Sequence, residues 1–262
     1  MEWAFQLSPE LWLEIGFLVC GGLLIIFRDW RIALPALLGE YLLLCALLAL
    51  FPETFVPKDL LIGSFVTNSL VAVKAVTGLT VVGILTLTVA SRRWVRLPES
   101  EQPLDEITAA RLRWAARRMA RSQEQRPRFS LLAYLLPTFA LAILIAATYA
   151  LASLYPVVQP LTRVNTDLSF WSYVDLAWYW LALSGIFIVL FAQEVQEVCV
   201  GLLLCLASAD LLYTVLSKSI GLLAIGLLNA VSILLALGSA YLSLLFYLRL
   251  QRWQLPSAEE WD

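Results

Sequence analysis

Apolar residues run along this chain in long blocks, and polar residues collect in the gaps between them. A helix needs about 17 to 25 mostly apolar residues to cross the hydrocarbon core of a bilayer. Seven blocks reach that length: Leu11 to Phe27, Ile32 to Phe51, Leu60 to Ala90, Phe129 to Tyr155, Trp171 to Ala192, Val198 to Leu216 and Ile220 to Leu248. The pattern predicts an all-α, polytopic membrane protein with seven transmembrane helices. The third block is long enough to tilt or to protrude at one end.

Only one gap is large. Ser91 to Arg128 carries ten of the fifteen arginines. Within it, residues 105–123 have strong helix propensity, with Asp105 and Glu106 at the start and arginines toward the end, as the helix dipole favours. Leu104, Ile107, Leu112, Ala115 and Met119 fall on one broad face, interrupted by Arg111. This is the pattern of a short interfacial helix whose Arg111, Arg113, Arg117, Arg118 and Arg121 meet anionic headgroups. A solvated helix that merely fixes topology has the same pattern.

The arginines also orient the chain, because short cytoplasmic loops carry the Lys/Arg excess. With seven spans, Arg28 and Arg31, the long loop, and Arg249 and Arg252 all fall on one side, against Lys58, Arg163 and Lys218 on the other. The expected topology has an outside N-terminus and a cytoplasmic C-terminus in a bacterial cytoplasmic (inner) membrane. Trp3, Trp12, Trp171, Trp178 and Trp180 then lie near the outer ends, and Trp30, Trp94, Trp114 and Trp253 near the inner ends, as interfacial belts.

Composition agrees and removes several chemistries. The chain is 61% hydrophobic and 15% charged, with a mean hydropathy of +0.81. It has no histidine, and so lacks the commonest general base and transition-metal ligand. Cys20, Cys45, Cys199 and Cys205 lie in apolar blocks without metal-binding spacing and read as small buried hydrophobes. No phosphate-binding loop, nucleophile motif or paired-carboxylate hydrolase arrangement occurs, and the basic loop lacks the signals of a nucleic-acid module. Nothing points to an independent enzyme, a cofactor or a metal, and the N-terminus, with Glu2, Glu10 and Glu14, does not read as a cleavable signal peptide.

What stands out chemically is inside the blocks. Glu40 and Lys74 each sit mid-span, and a charge at the bilayer centre costs roughly 2.5 to 3.5 kcal/mol on insertion scales, so such residues are functional candidates by default. On neighbouring antiparallel helices the two reach similar depth, which predicts a Glu40–Lys74 ion pair, either a proton relay or a static clasp. Asp210 is a further candidate, as a buried relay or as a group facing water or a partner subunit. Glu14 and Asp175 are expected to snorkel into the headgroup region, Asn68 and Asn229 to bond between helices, and Gly21, Gly22, Gly221 and Gly226 to permit close helix approach.

Block lengths repeat. Helices one to three and five to seven each read as an apolar helix, a tight charged link, a second helix, a short outer link and a long third helix, entering the membrane the same way up. The segments RDWRIALPALLGEYLLL (Arg28 to Leu44) and SLVAVKAVTGL (Ser69 to Leu79) carry a resemblance. They are similar to the NuoK subunit family of bacterial respiratory complex I, related to the MrpC subunits of multisubunit sodium/proton antiporters. In that family a glutamate follows the charged turn in helix two, where Glu40 stands, and a second glutamate lies in helix three, where this chain has Lys74. The doubled arrangement with an extra helix resembles the HyfE-type subunit of the formate-hydrogenlyase and hydrogenase-4 group.

The resemblance implies a first module over residues 1–91, a basic cytoplasmic loop over 92–128, a linking helix over 129–156, a second, degenerate module over 171–250 and a cytoplasmic tail over 251–262. It also implies a hetero-oligomeric, complex-I-like, hydrogenase-4-like or Mrp-like assembly, in which the chain lies beside large antiporter-like (NuoL/M/N-type) subunits and moves protons or sodium through Glu40 and Lys74. Electron carriers would belong to partner subunits. Two alternatives stay open: a structural or assembly subunit without an ion path, and a free-standing small-solute transporter.

Overall fold

The computed structural model describes residues 9–27, 29–50, 60–94, 131–157, 168–216 and 222–250. Among them are seven helices and no strand: α1 (Pro9–Ile26), α2 (Trp30–Leu50), α3 (Leu60–Trp94), α4 (Leu131–Leu154), α5 (Leu168–Leu190), α6 (Val195–Leu216) and α7 (Leu222–Leu250). Each apolar block is a helix because a chain in hydrocarbon must satisfy its own backbone hydrogen bonds. Six helices, α2 to α7, are long and apolar enough to span a membrane. The first differs from expectation: its apolar stretch, Leu11–Ile26, is shorter than the others and has Glu14 within it. The basic loop, with Arg111, Arg113, Arg117, Arg118 and Arg121, and the C-terminal tail lie outside the described residues.

The tight charged links are built by local capping. Asp29 closes the turn before α2: its carboxylate accepts from the Arg31 amide at 3.1 Å and its carbonyl from Ile32 and Ala33, each at 2.9 Å. At α6 the Glu197 carboxylate reaches back to the amides of Gln193 at 2.6 Å and Glu194 at 3.3 Å. That is the glutamate half of a capping box, and it satisfies donors that have no partner within the helix. The two links also meet, where the Trp30 indole donates to Glu194 at 3.3 Å. The start of α2 and the start of α6 therefore lie at the same end of the bundle, called here the Glu194 end.

The helices form two facing triplets. Within the first, α2 packs on both α1 and α3; within the second, α6 packs on both α5 and α7. Across the interface α1 meets α5 and α3 meets α7, so the triplets face each other in the same order. A twofold axis along the bundle would instead bring α1 onto α7. The fourth helix is outside this arrangement, touching only the α1 and α5 edge among the stronger contacts, and its Phe139, Ile143 and Leu154 are exposed.

Small residues set the closest approaches. Gly185 on α5 and Gly201 on α6 cross so tightly that a Cβ on either would lie 2.6 to 2.7 Å from the other's carbonyl oxygen. Gly21 makes room for the Trp180 indole, whose nitrogen donates to the Phe17 carbonyl at 2.8 Å and joins α1 to α5. Helix association without a hydrophobic drive depends on this kind of close packing. Of the four glycines expected to serve that purpose, Gly21 does so and Gly22 makes ordinary contact with Leu141; a Cβ on Gly226 would meet nothing within 4 Å, and Gly221 lies outside the described residues.

Candidate functional site

Three ionisable side chains lie inside the two triplets. Glu40 is 1% exposed, Lys74 2% and Asp210 6%. All three sit mid-helix, with apolar leucines such as Leu37, Leu44, Leu203 and Leu211 buried around them. These are the expected relay residues, and their pairing is different from the one the sequence suggests: Lys74 forms its ion pair with Asp210, across the interface between the triplets.

Register and helical azimuth explain the correction. Tyr41 on α2 abuts Gly78 on α3, where a Cβ would lie 2.7 Å from the tyrosine's own Cβ. One turn further along α2, the Cys45 thiol donates to the Val71 carbonyl. Lys74 therefore lies level with the stretch between Tyr41 and Cys45. Glu40, one residue before Tyr41, points about 100° away from that contact. It turns toward α1, near the Gly21 amide and Cys20. Lys74, on the same face of α3 as Gly78, has α6 in front of it instead.

The pairing leaves acceptors over. One Asp210 oxygen takes the lysine, while the other meets no donor, and neither Glu40 oxygen is met by a hydrogen bond. The Tyr41 hydroxyl is buried beside Ser232. Buried polar atoms without partners are few in native structures, and each calls for a ligand, a water or a proton. The site thus combines one compensated pair with a separate buried carboxylate that has spare acceptor capacity.

Other expectations resolve individually. Asp175 does not snorkel: it is fully buried, and it accepts from the Val157 amide at 3.2 Å and the Trp178 indole at 3.1 Å, tying the segment after α4 to α5. Glu14 is half-buried and accepts from the Tyr149 hydroxyl on α4. Asn229 bonds within its own helix, to the Ile225 carbonyl at 2.8 Å, rather than between helices; the Asn68 side chain lies outside the described residues. All four cysteines are free, and Cys45, Cys199 and Cys205 each donate to a backbone carbonyl of another helix. Among the described residues no group of His, Cys, Asp or Glu is arranged to hold a metal ion.

Sequence reasoning passed over Tyr41 and Gln196, both buried, and put Trp180 in an outer interfacial belt, whereas it is fully buried between α5 and α1. The adjacency of Tyr41 to Glu40 was the available signal for the first; nothing local distinguishes Gln196. Fold and site together define a multi-pass integral membrane protein with an ionisable cluster in its interior. No protein family, curated protein or solved structure matches the chain.

Proposed function

We propose that this chain is an ion-translocating membrane subunit of a larger assembly of the complex I, hydrogenase-4 or Mrp antiporter type, with Glu40 as its exchangeable carboxylate. The observation that carries the reading is Glu40 itself: 1% exposed, mid-helix, and with both oxygens unmatched. A residue kept only for packing has no reason to bear that desolvation cost, whereas a group that alternately takes and releases a proton must be without a permanent partner. The neighbouring Lys74–Asp210 pair supplies a second charged station.

On this reading the basic links lie on the cytoplasmic side of a bacterial inner membrane, with the N-terminus outside, and a large antiporter-like subunit covers part of the apolar surface. The continuous helices disfavour a free-standing solute transporter, whose sites are typically made by interrupted helices. A structural role is favoured by one observation, the Lys74–Asp210 clasp across the triplets.

The test is Glu40→Gln in the assembled complex, with proton and sodium uptake followed in inverted membrane vesicles under the driving reaction of the complex. We expect uptake to fall at least tenfold while the complex keeps its size in detergent. Unchanged uptake with normal assembly would assign the chain to the structural role.

A further inference from the structure

A polar seam runs from the Lys74–Asp210 pair toward the Glu194 end, on the opposite side of α2 from Glu40. Its backbone is α7, where Asn229, Ser232, Ala236, Ser239 and Ser243 recur at alternating steps of three and four residues and are all buried, while Val231, Leu234, Leu237 and Tyr241 between them are exposed. Such spacing puts the first set on one helical face. That face is turned inward: Cys199 on α6 donates to the Leu235 carbonyl, with Ser239 beside it, and the Tyr41 hydroxyl lies next to Ser232. The helices α6 and α7 run antiparallel with Cys199 against Leu235, so Asn229 and Ser232 lie about one and two turns below Asp210, and Ser239 and Ser243 reach the level of buried Gln196 at the start of α6 and below it.

Small polar residues at a helix contact are, taken alone, a packing feature. Here two unmatched atoms point to more. The free oxygen of Asp210 is at the top of the seam and the Ser243 hydroxyl is near the bottom, both buried without a partner, and the buried Tyr41 hydroxyl lies between them beside Ser232. Ser232 and Ser239 donate their protons to their own helix, to Leu228 at 3.2 Å and Ala236 at 2.9 Å, which leaves their lone pairs available as acceptors. Groups of this kind, spaced along a file between helices, are the partners that buried water requires, about three hydrogen bonds per molecule.

We propose that the seam between α3, α6 and α7 holds a file of water that connects the Lys74–Asp210 pair to the Glu194 end of the bundle. Tyr41 contributes a donor, Ser232 and Ser239 acceptors, and Ser243 both. This deepens the reading of the chain as an ion-translocating subunit, since it gives the ion pair one-sided access to solvent. It does not depend on Glu40, which faces α1, so the two can fail separately.

The test reads water contact rather than transport. In the assembled complex, Ser232, Ser239 and Ser243 are replaced singly by Cys, in a chain whose four native cysteines are Ala. Reaction with the small, water-soluble methanethiosulfonate ethylammonium is then compared with that of Leu181→Cys, fully buried on α5 and outside the seam. We expect S243C to react fastest, then S239C, then S232C, each at least tenfold above the Leu181→Cys control. In parallel, hydroxyl-radical labelling of the unmodified complex keeps the test independent of folding of the variants. Tyr41 should be oxidised several-fold faster than equally buried Phe17, after correction for intrinsic reactivity. Serine-site cysteines no more reactive than the control, or Tyr41 as protected as Phe17, would show a dry packing seam and overturn the proposal. Labelling as expected together with normal uptake in the Glu40→Gln complex would leave the seam hydrated and remove the assigned role of Glu40.

Discussion

Lys74 on α3 is paired with Asp210 on α6, in the opposite triplet, and not with Glu40 on the helix beside it. The pair therefore bridges the two halves of the molecule, and its strength is felt as cohesion between them. Removing one partner leaves an uncompensated charge in a low-dielectric interior, which costs about 3 to 5 kcal/mol. Lys74→Met and Asp210→Leu should each destabilise the protein by that order, while the double variant recovers most of the loss. Thermal unfolding of the full chain in detergent, analysed as a double-mutant cycle, measures it. Additive losses would mean that the pair is not the coupling element.

Glu40 should behave oppositely. With neither oxygen in a well-formed hydrogen bond and only the Gly21 amide nearby, the carboxylate contributes more desolvation cost than compensation. Glu40→Met, of similar length and apolar, is expected to unfold at the same temperature or a higher one than the native chain. A clear drop in melting temperature would reveal a structural partner for Glu40.

The α5–α6 crossing is set by two glycines, and it separates steric from conformational effects. Gly185→Ala or Gly201→Ala places a methyl within 2.7 Å of a backbone carbonyl and should cost about 1 to 3 kcal/mol by forcing the helices apart. At Gly83 and Gly238 a Cβ meets nothing within 4 Å, and alanine should gain up to about 1 kcal/mol from helix propensity. Melting temperatures of the four single variants give the comparison. Equal effects at all four positions would contradict the close crossing.

Asp175 holds the segment that follows α4 through one oxygen, which accepts from both Val157 and Trp178. Asp175→Ala strips two donors at once, each worth about 1 to 3 kcal/mol when left buried and unmatched. Asp175→Asn keeps a carbonyl oxygen at the same place and should retain most of the stability. Hydrogen exchange at the Val157 amide is the local readout: faster in the alanine variant, close to native in the asparagine variant. Slow exchange in both would mean that another group holds the segment.

Several of these relationships were legible in the chain and others were not. The six long helices, their order and the tight Asp29 and Glu194 links follow from hydropathy and capping, which act over a few residues. That Glu40, Lys74 and Asp210 are buried also follows, because each stands in the middle of an apolar block. The buried stripe Ser232, Ser239, Ser243 was readable as a heptad of small polar residues in α7, yet its meaning depends on what faces it.

What faces what was decided only by tertiary structure. The difference between a Glu40–Lys74 pair and a Lys74–Asp210 pair is about 100° of rotation around α2 and the choice of α6 as the neighbour across the interface. Rotation of that kind is fixed by contacts distant in sequence, such as Tyr41 against Gly78 and Gly21 under Trp180. The same holds for Asp175, an interfacial charge by position and a buried one because the chain after α4 folds back over it. Hydropathy places a residue along the bilayer normal; only packing assigns the direction in which its side chain points, and for buried charges that direction chooses the partner.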